Sequence, residues 1–452
     1  MYNVHYEQTF VHYERTKRGG IEMDTVKIGL CGLGTVGTGV VKVLQGHQER
    51  IQHILGCKIE IEKVLANDIS KARDVEIDPN WLTTDPSDLV DHDEIDVIVE
   101  VMGGIEETYK ILERALKNKK HVVTANKDLM ALHGQKLLQI AKENQCDIQY
   151  DASIAGGIPI VRTLVDGLAS DHIEKVMGIV NGTTNFIMTK MTKEGLDFDV
   201  VLKEAQKLGF AEADPSADVD GLDAARKMVL LANLAFKMEL NLDDVKVKGI
   251  RQVTQEDINF ADNLGYTIKL IGIASMDDYK AEVTVEPTLL PKDHPLALVN
   301  DEFNAVFVHG EAVGETMFYG PGAGSLPTAT AVVSDLMEVI RHLRLGISGK
   351  SYVEPQFKRQ LKADHEKFSR HFIRLDVEDE AGAFQEITNV FSENNVSFAK
   401  ILQLPAKEKG RAEIVMVTHH ISQEQLLKSM QSLEKLTVVK RLISHYRVDG
   451  EE

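Results

Sequence analysis

A glycine-rich segment follows the first apolar run of this chain, and it constrains the fold more than any other feature. Residues 25–30 are predicted to form a buried strand, and the next residues, Gly32-Leu33-Gly34-Thr35-Val36-Gly37, have the G-x-G-x-x-G spacing. In this spacing the first glycine allows a tight turn, the second lets the backbone approach a pyrophosphate, and the third lets a helix pack closely on the strand. Apolar residues at helical spacing follow, which favours dinucleotide binding over a nucleotide-like fold without a ligand.

The composition is that of a globular protein with several domains. The 452 residues are enough for two or three domains, and the apolar and charged fractions of 43% and 27% are ordinary. The formal charge of −19 opposes contact with nucleic acid or an anionic membrane, and no apolar run is long enough to span a bilayer. The cysteines Cys31, Cys57 and Cys146 have no metal-binding spacing and leave one thiol unpaired, which favours a reducing compartment and a cytoplasmic location.

Residues 1–22 differ from the rest of the chain. They are polar and rich in Tyr, His and Arg, and the sequence from Met23, which leads directly into the first strand, resembles a natural start. They lack the apolar core of a signal peptide, and Glu7, Glu14 and Glu22 oppose a transit peptide. We therefore expect a disordered or artefactual extension.

Strand and helix patterns alternate from residue 23 to residue 150. Predicted strands cover residues 25–30, 59–66, 97–101, 121–124 and 147–150, and predicted helices include residues 107–117 and 129–144. The alternation predicts a Rossmann-type domain, in which ligands bind beyond the carboxyl ends of parallel strands. Met102-Gly103-Gly104 and Thr124-Ala125-Asn126-Lys127 lie at such ends. Each could be a plain turn, but Lys127 is a candidate contact for a charged ligand.

Residues 151–325 mix strands and helices less regularly and predict an α+β domain. Predicted strands cover residues 175–180, 267–274 and 279–289, and predicted helices cover residues 198–207 and 222–237. A helix over residues 326–345 is expected to return to the first domain. Residues 346–370 are expected to form a polar linker.

The segment 151–159, with the sequence DASIAGGIP, has two interpretations. Its paired glycines and its proline predict a constrained backbone rather than a strand. Such a bend can direct carbonyl oxygens at a hard cation. A tight turn into a helix over residues 160–168 agrees equally well with the composition, so the residues alone leave both open.

Carboxylates are concentrated just before an apolar helix. They are Glu212, Asp214, Asp218, Asp220 and Asp223. Asp223 and Lys227 are four residues apart and share one face of that helix. An exposed ion pair is the commoner reason for this spacing. The apolar residues around Lys227 favour instead a pocket for a zwitterionic amino acid, where a lysine can donate a proton.

Five motifs, in this order, closely resemble those of homoserine dehydrogenases. They lie at residues 32–37, 124–127 (TANK), 181–186 (NGTTNF), 212–227 and 320–324 (GPGAG). The resemblance covers about residues 23–347 and implies interconversion of L-aspartate 4-semialdehyde and L-homoserine with NADH or NADPH. It also implies a homo-oligomer, a dimer or a tetramer, joined through the sheet of the central domain.

The resemblance assigns roles to individual residues. Lys227 takes the place of the family's proton donor with Asp223 beside it, and Lys127 lies near nicotinamide and substrate. The family's substrate-binding acid falls on Glu212, with Asp218 nearby. The cofactor site is expected at Gly32, Leu33, Gly34, Thr35, Val36, Gly37, Gly103, Lys127 and Gly324.

The expected chemistry suits these residues. A hydride that reaches the aldehyde carbon leaves charge on the oxygen, which an ammonium group can stabilise and protonate. The substrate ammonium group needs acidic partners, which Glu212 and its neighbours supply. The substrate carboxylate needs donors, such as the backbone N–H groups near Gly182 and Thr183.

The family's sodium loop falls on Asp151, Ile154, Gly156 and Ile158. Only Asp151 would contribute a side chain. It stands where the family usually has the longer glutamate, which weakens the case for direct coordination by the carboxylate.

The loop after the second strand bears on the choice of cofactor. Members of the resembling family often have an arginine near the position of Asn67. This chain lacks that arginine, and the residue after Asn67 is the acidic Asp68. An acidic residue favours the ribose hydroxyl of NADH, and a basic one favours the 2′-phosphate of NADPH. The loop therefore favours NADH, although Lys71 or Arg73 could reach a phosphate.

Residues 371–448 have the order βαββαβ and resemble an ACT domain, a module that binds small amino acids at subunit interfaces. Predicted strands cover residues 371–377, 398–404, 412–418 and 438–446, and predicted helices cover residues 383–394 and 422–433. Ala381 replaces the usual proline before Gly382. The resemblance implies feedback regulation, with threonine favoured over isoleucine and methionine as effector, and a unit that can be removed near residue 346. The alternative is a domain used only for oligomerisation.

Two other functions remain open from the sequence. The chain could be another small amino-acid aldehyde or alcohol dehydrogenase, which the cluster at residues 212–227 opposes. It could also be a non-catalytic amino-acid sensor, which the presence of both Lys127 and Lys227 opposes.

Overall fold

The computed structural model describes residues 25–349, 354–406 and 408–450. Its first unit contains a parallel six-stranded sheet in the order β3-β2-β1-β4-β5-β6. The strands are β1 (Thr25–Cys31), β2 (Lys58–Leu65), β3 (Leu82–Thr83), β4 (Val97–Glu100), β5 (His121–Thr124) and β6 (Ile148–Gln149). All residues of β4 and β5 are buried, as expected of strands covered on both faces. The predicted Rossmann-type sheet is confirmed.

The helices of this unit are joined by one that comes from much later in the chain. They are α1 (Thr35–Gly46), α2 (Gln48–Leu55), α3 (Ser87–Val90), α4 (Glu106–Lys117) and α5 (Lys127–Glu143). α1 packs on α13 (Ser325–Leu345), and a Cβ added to Gly39 would lie 2.5 Å from the Ser325 carbonyl oxygen. The Ser325 hydroxyl donates to the Thr35 carbonyl oxygen at 2.7 Å. α13 is therefore held tightly against the start of α1.

The second unit packs helices on one face of a mixed sheet. Its helices are α6 (Ala152–Ala155), α7 (Ile160–Arg162), α8 (Gly182–Glu194), α9 (Phe198–Leu208), α10 (Ser216–Val219), α11 (Leu222–Phe236) and α12 (Gln255–Asn263). Its strands are β7 (Ile173–Ile179), β8 (Val245–Val247), β9 (Tyr266–Asp277), β10 (Lys280–Pro291), β11 (Phe303–Gly310) and β12 (Gly314–Pro321). A Cβ added to Gly272 of β9 would lie 2.2 Å from Cγ of Met228 on α11. This close packing fixes the height of α11 above the sheet.

The C-terminal unit has the predicted βαββαβ order with one short extra strand. Its elements are β13 (Phe368–Glu378), α14 (Ala383–Glu393), β14 (Phe398–Pro405), β15 (Arg411–Thr418), β16 (Ile421–Ser422), α15 (Gln423–Leu433) and β17 (Val439–Val448). Alternate residues of β13 and β15 form a core with apolar residues of both helices, including Ile373, Ile414, Phe391 and Leu426. One side of the sheet is therefore covered by α14 and α15.

The C-terminal unit shares a sheet with the second unit. β17 pairs in parallel with β10, through Thr288 with Arg447 and Leu289 with Val448. An eleven-stranded sheet results, in the order β12-β11-β7-β9-β10-β17-β13-β15-β14, with β8 and β16 attached. Hydrogen bonds of the sheet therefore connect the two units in addition to the linker. That removal of the C-terminal unit near residue 346 leaves cofactor and substrate binding largely intact stays a prediction.

A buried carboxylate strengthens this junction. Asp257, in the first turn of α12, is 0% exposed and forms a capping box with Thr254. Its carboxylate also accepts hydrogen bonds from Arg374 at 3.0 Å, Ser444 at 2.6 Å and Tyr446 at 2.9 Å, all in the C-terminal unit. Loss of such partners leaves a buried charge unpaired and typically costs about 3–5 kcal/mol.

Several local predictions differ from the structure. The helix predicted over residues 160–168 is interrupted, because α7 ends at Arg162 and Thr163–Gly167 forms a π-helical turn. The sequence does not predict α8, because its own residues are buried on all faces of the helix. It therefore lacks the one-sided apolar pattern of a surface helix. Residues 1–22 and residues 350–353 of the predicted linker lie outside the described residues.

None of the helices in the described ranges is both long enough and apolar enough to cross a membrane.

Candidate active site

The glycine turn after β1 leaves space at the start of α1. Gly32 has a φ of 106°, and a Cβ on Gly37 would lie 2.1 Å from the Gly32 carbonyl oxygen, so a side chain would separate α1 from the turn. An added Cβ on Gly34 has no atom within 4 Å. Gly34 is the residue before α1, and no side chain caps this helix. The main-chain N–H groups of the first turn of α1 therefore remain available to an anion. Leu33 is buried, Gly34 and Thr35 are exposed and Val36 is half-buried.

Two other predicted cofactor residues border the same sheet edge or α1. Gly103 follows β4 with a φ of 75° and has open space around it. Gly324 has a φ of 127° and precedes Ser325, whose hydroxyl contacts Thr35. The structure thus brings the ends of β1 and β4 and the start of α13 to the region where a dinucleotide binds in Rossmann-type domains.

A carboxylate between two lysines lies where the first two units meet. Asp223 Oδ1 is 2.6 Å from Nζ of Lys127, the first residue of α5. Asp223 Oδ2 accepts a hydrogen bond from Nζ of Lys227 at 2.8 Å. Lys227 also donates to the Val180 carbonyl oxygen at 2.7 Å. Asp223 is 3% and Lys227 9% exposed, so this is not the exposed ion pair that i, i+4 spacing more often produces.

The charges of this cluster support one another. Burial disfavours the ionised form of Asp223, but Lys227 and Lys127 outweigh it and hold the pKa of this carboxyl group well below its usual range. Burial also disfavours the charge of Lys127, but the Asp223 carboxylate raises the pKa of its ammonium group. Both groups are therefore charged at neutral pH.

Asn181 connects this cluster to Asp218. Its amide nitrogen donates to Asp218 at 2.7 Å and to Asp223 at 2.8 Å. Its side-chain oxygen caps α8 by accepting from the Thr184 N–H at 2.9 Å. Burial raises the pKa of the Asp218 carboxyl group, while the hydrogen bond from Asn181 opposes that rise. No role for Asn181 is predicted from the sequence, although an asparagine before Gly-Thr-Thr is a helix-cap signal.

The remaining predicted substrate residues differ in their surroundings. Gly182 begins α8, and an added Cβ would lie 2.6 Å from the Glu302 carbonyl oxygen. The Thr183 hydroxyl donates to the Phe210 carbonyl oxygen at 2.5 Å, which leaves the N-terminal N–H groups of α8 as the candidate donors. Glu212 is exposed, and its carboxylate forms no hydrogen bond or ion pair with the rest of the described chain. The structure does not bring Glu212 into contact with the lysines.

The predicted sodium loop contains unpartnered carboxylate oxygen. Asp151 is 2% exposed; its Oδ1 accepts from the Val161 N–H at 2.9 Å, whereas Oδ2 has no hydrogen bond among the described residues. Asp335 Oδ1 is likewise without a hydrogen bond and lies 3.6 Å from Arg162. Burial, followed by the neighbouring Asp151, raises the pKa of Asp335 to about 8. An excess of buried carboxylate oxygen beside a carbonyl-rich bend fits a small cation.

A cavity of about 970 Å³ is lined by the first and middle turns of α5 and the C-terminal half of α11. Met130, Tyr150 and Leu234 are among its lining residues, and none of the predicted site residues lines it. The cavity is therefore distinct from the Lys127–Asp223–Lys227 cluster.

Comparison with known proteins covers nearly the whole chain. A family model described as homoserine dehydrogenase matches residues 159–337, one for the NAD-binding domain of homoserine dehydrogenase matches residues 32–151, and one for the ACT domain matches residues 371–438. The homoserine dehydrogenase of Bacillus subtilis is 58% identical over 95% of this chain and 99% of that protein. The one from Synechocystis is 40% identical over 94% and 99%.

Solved structures show the same architecture. A homoserine dehydrogenase from Thiobacillus denitrificans has a TM-score of 0.89 and 36% identity, over 94% of this chain and 99% of that one. One from S. aureus has a TM-score of 0.76 and 42% identity, over 95% and 100%. A hyperthermophilic archaeal homoserine dehydrogenase in complex with NADPH has a TM-score of 0.59 and 27% identity, over 70% and 97%. These likenesses, together with the motifs and the charge cluster, show that the chain belongs to the homoserine dehydrogenase family.

Proposed function

We propose that this protein interconverts L-aspartate 4-semialdehyde and L-homoserine with NAD(P)H. The observation that carries the proposal is the buried Asp223 carboxylate held between Lys127 and Lys227, next to the edge where the cofactor residues gather. The nicotinamide cofactor, when bound, supplies or accepts the hydride. The protein has to bind an amino acid and control one proton at the oxygen of the reacting carbon.

Lys227 is suited to proton transfer. A lysine ammonium group has three N–H donors. One donates to Asp223 and another to the Val180 carbonyl oxygen, which leaves a third for a substrate oxygen. Asp223 keeps the ammonium group oriented. We assign Lys227 as proton donor and Lys127 as the second cation that stabilises charge on that oxygen.

Two further acidic groups precede α11 in the chain. Asp218 is oriented by Asn181, and Glu212 has a free carboxylate near the same loop. We assign both to the substrate ammonium group. The N–H groups at Gly182 and Thr183 are assigned to the substrate carboxylate, because the start of a helix attracts anions.

Oxidation of L-homoserine by the purified full-length chain, followed through NADH or NADPH absorbance, tests this function. Serine and threonine serve as comparison substrates. Turnover confined to homoserine supports the proposal. Faster turnover of another amino alcohol would identify a different dehydrogenase, and no turnover of any would indicate a sensor.

For the cofactor we propose a preference for NADH. Asp68 is exposed, and its hydrogen bonds with Ser70 lower the pKa of its carboxyl group, so a negative charge stands in this loop. The guanidinium group of Arg73 donates to the carbonyl oxygens of Leu33 at 3.3 Å, Lys71 at 2.6 Å and Asp68 at 2.6 Å. These bonds engage each of its three nitrogens, so Arg73 braces the loop and has two N–H groups left for a phosphate.

We further propose a structural sodium ion at the bend 151–158. The Asp151 carboxylate and the carbonyl oxygens of Ile154, Gly156 and Ile158 would hold it. Its charge would compensate for the carboxylate oxygens of Asp151 and Asp335 that accept no hydrogen bond among the described residues. It would also fix the connection from β6 to α7. The cytoplasmic location expected from the three cysteines stays a prediction.

For the C-terminal unit we propose threonine-dependent regulation in a homo-oligomer, at least a dimer. β14 is a free edge of the sheet, and Ile401 and Leu404 on it are 45% and 40% exposed. Pairing of two such edges would cover these side chains and enclose an amino-acid site between subunits. A role in assembly alone is the other outcome.

A further inference from the structure

Glu100 is a fully buried carboxylate at the cofactor edge of the parallel sheet. It is the last residue of β4, is 0% exposed and follows three valine or isoleucine residues. Burial raises the pKa of its carboxyl group, while the hydrogen bonds that it accepts oppose that rise. No cation among the described residues forms an ion pair with it. A buried, unpaired acid is costly, so its place at this strand end needs an explanation.

Both oxygens of Glu100 accept hydrogen bonds from loops at this edge. Oε1 accepts from the N–H groups of Met102 at 2.9 Å and Gly103 at 3.0 Å. Oε2 accepts from the Thr124 hydroxyl at 2.5 Å. All three partners donate to these two acceptor oxygens, whereas an amide accepts only at its oxygen and would have to reverse the direction of the bond to the Thr124 hydroxyl.

The same network continues to the first residue of α5. The Thr124 hydroxyl oxygen accepts from the Asn126 N–H at 3.0 Å. The Asn126 side chain donates to the Gly104 carbonyl oxygen at 2.7 Å and caps α5 by accepting from the Leu129 N–H at 3.1 Å. The network thus joins the loop after β4 to the residue that directly precedes Lys127.

The loop after β4 depends on this support. Gly103 and Gly104 have φ angles of 75° and 77°, a conformation that glycine reaches easily but does not hold by itself. The hydrogen bonds to Glu100 and Asn126 supply the missing restraint from both sides. Without them the loop has more conformations available, and the position of Gly103 becomes less defined.

We propose that Glu100 is a positioning residue for the reaction, which sets the loop at Gly103 for the cofactor and, through Thr124 and Asn126, the orientation of Lys127. The inference rests on the proposed function of that site. Glu100 touches neither substrate nor the reacting atoms in this arrangement and acts only through the two loops that it connects. It gives one side chain control over cofactor binding and over the charge cluster at the same time.

Glu100→Gln in the full-length chain is the direct test, with Asp96→Asn as the matched control. Asp96 is a half-buried carboxylate next to the amino end of the same strand, where it accepts from the Lys27 N–H at 3.0 Å. We expect Glu100→Gln to raise the KM for the cofactor and to lower kcat, each by about tenfold, since misplacement of reacting groups is costly to rate. Asp96→Asn should leave both constants within about twofold of the unaltered chain, because its hydrogen bond lies away from the cofactor edge.

A second pair of variants separates positioning from folding. Thr124→Ser keeps the hydroxyl and should retain both constants, whereas Thr124→Val removes it and should reproduce the change in kcat. The double variant Glu100→Gln with Thr124→Val should be little worse than either single one, because the two residues share one hydrogen bond. A lower melting temperature with unchanged KM and kcat in both single variants would overturn the proposal and leave Glu100 a purely structural residue.

Direct titration with NADH, followed by fluorescence, keeps this test independent of the reaction. Weaker binding to the Glu100→Gln variant than to the Asp96→Asn variant supports the inference even if homoserine proves not to be the substrate. Equal binding, together with unchanged kinetic constants, contradicts it. Absence of homoserine oxidation by the unaltered chain would instead count against the proposed function.

Discussion

Lys127 and Asp223 come from different units of the fold, and their charged groups lie 2.6 Å apart. Beside them, Nε of Arg226 lies 3.2 Å from Oδ1 of Asp128. Two ion pairs therefore connect the starts of α5 and α11, and α5 contributes the cation to one pair and the carboxylate to the other. α5 belongs to the cofactor-binding unit and α11 to the unit with the proposed substrate residues. The alignment of cofactor with substrate therefore depends on ion pairs that lie beside the reacting groups.

Lys227→Ala should lower turnover of homoserine about a hundredfold or more with the fold intact, because the proposed proton donor is removed. Steady-state kinetics and a thermal melt measure the two effects. Lys190→Ala is the control, since Lys190 forms an i, i+4 pair with Glu194 at 2.7 Å away from the charge cluster. Near-normal turnover of the Lys227 variant would remove this residue from the mechanism.

Glu212→Gln should raise the KM for homoserine with a much smaller change in kcat. A carboxylate that contacts the substrate ammonium group binds ground state and transition state alike, so its loss weakens binding more than catalysis. Asp214→Asn, an exposed neighbour, is the matched control. An unchanged KM would mean that Glu212 does not contact the ammonium group.

The ratio kcat/KM should be higher with NADH than with NADPH. Asn67→Arg should shift the preference towards NADPH by about tenfold, because a guanidinium group binds phosphate through charge-assisted hydrogen bonds that the neutral Asn67 cannot make. Asn67→Gln controls for side-chain size. A clearly higher kcat/KM of the unaltered chain with NADPH would refute the proposed preference.

Threonine should bind the full-length chain in calorimetry and slow its turnover. Ile401→Asp on β14 should weaken both dimer formation and the threonine response while leaving turnover without threonine unchanged, because a charge at this edge opposes strand pairing. Leu427→Asp is the control, since this residue of α15 is 43% exposed on the same unit. If threonine neither binds nor inhibits, the domain serves assembly alone.

Mild acid should loosen the junction between the second and the C-terminal unit. Burial lowers the pKa of His445 to about 4 and holds that of the neighbouring His371 well below the ordinary value. The unfolded chain therefore binds more protons between about pH 4 and 6.5, so stability is highest above this window and falls as the pH drops through it.

Melting temperatures between pH 7.5 and 4.5 measure this effect. His445→Asn should reduce the loss of stability in acid, whereas His419→Asn, at an exposed position, should not. The same acid sensitivity in both variants would place the responsible groups elsewhere.

Local pattern predicts the elements that are stabilised locally. The apolar runs of β1, β4 and β5 identify strands covered on both faces, and the βαββαβ unit shows regular alternation. α8 escapes this reasoning because its burial on all sides removes the periodicity. The pairing of β10 with β17 also escapes it, since main-chain hydrogen bonds leave no side-chain pattern.

The site is predictable to the same extent. The spacing of Asp223 and Lys227 places them on one helix face, and the glycine motif places the turn before α1. The role of Asn181 depends on partners that lie 37 and 42 residues away in the chain. The role of Glu100 depends on a partner 24 residues away. Such contacts arise from the tertiary fold, and a single sequence does not show which polar groups will meet.

The pairing of β17 with β10 limits how this protein can be recombined with its relatives. A hybrid enzyme that receives a foreign C-terminal unit has to provide a strand that fits Thr288 and Leu289, and it has to replace the donors that surround Asp257. Arg374 and Tyr446 are therefore contacts that a working graft has to keep. A crossover placed in the linker alone would join two units whose strands do not pair and would leave Asp257 without its hydrogen-bond donors.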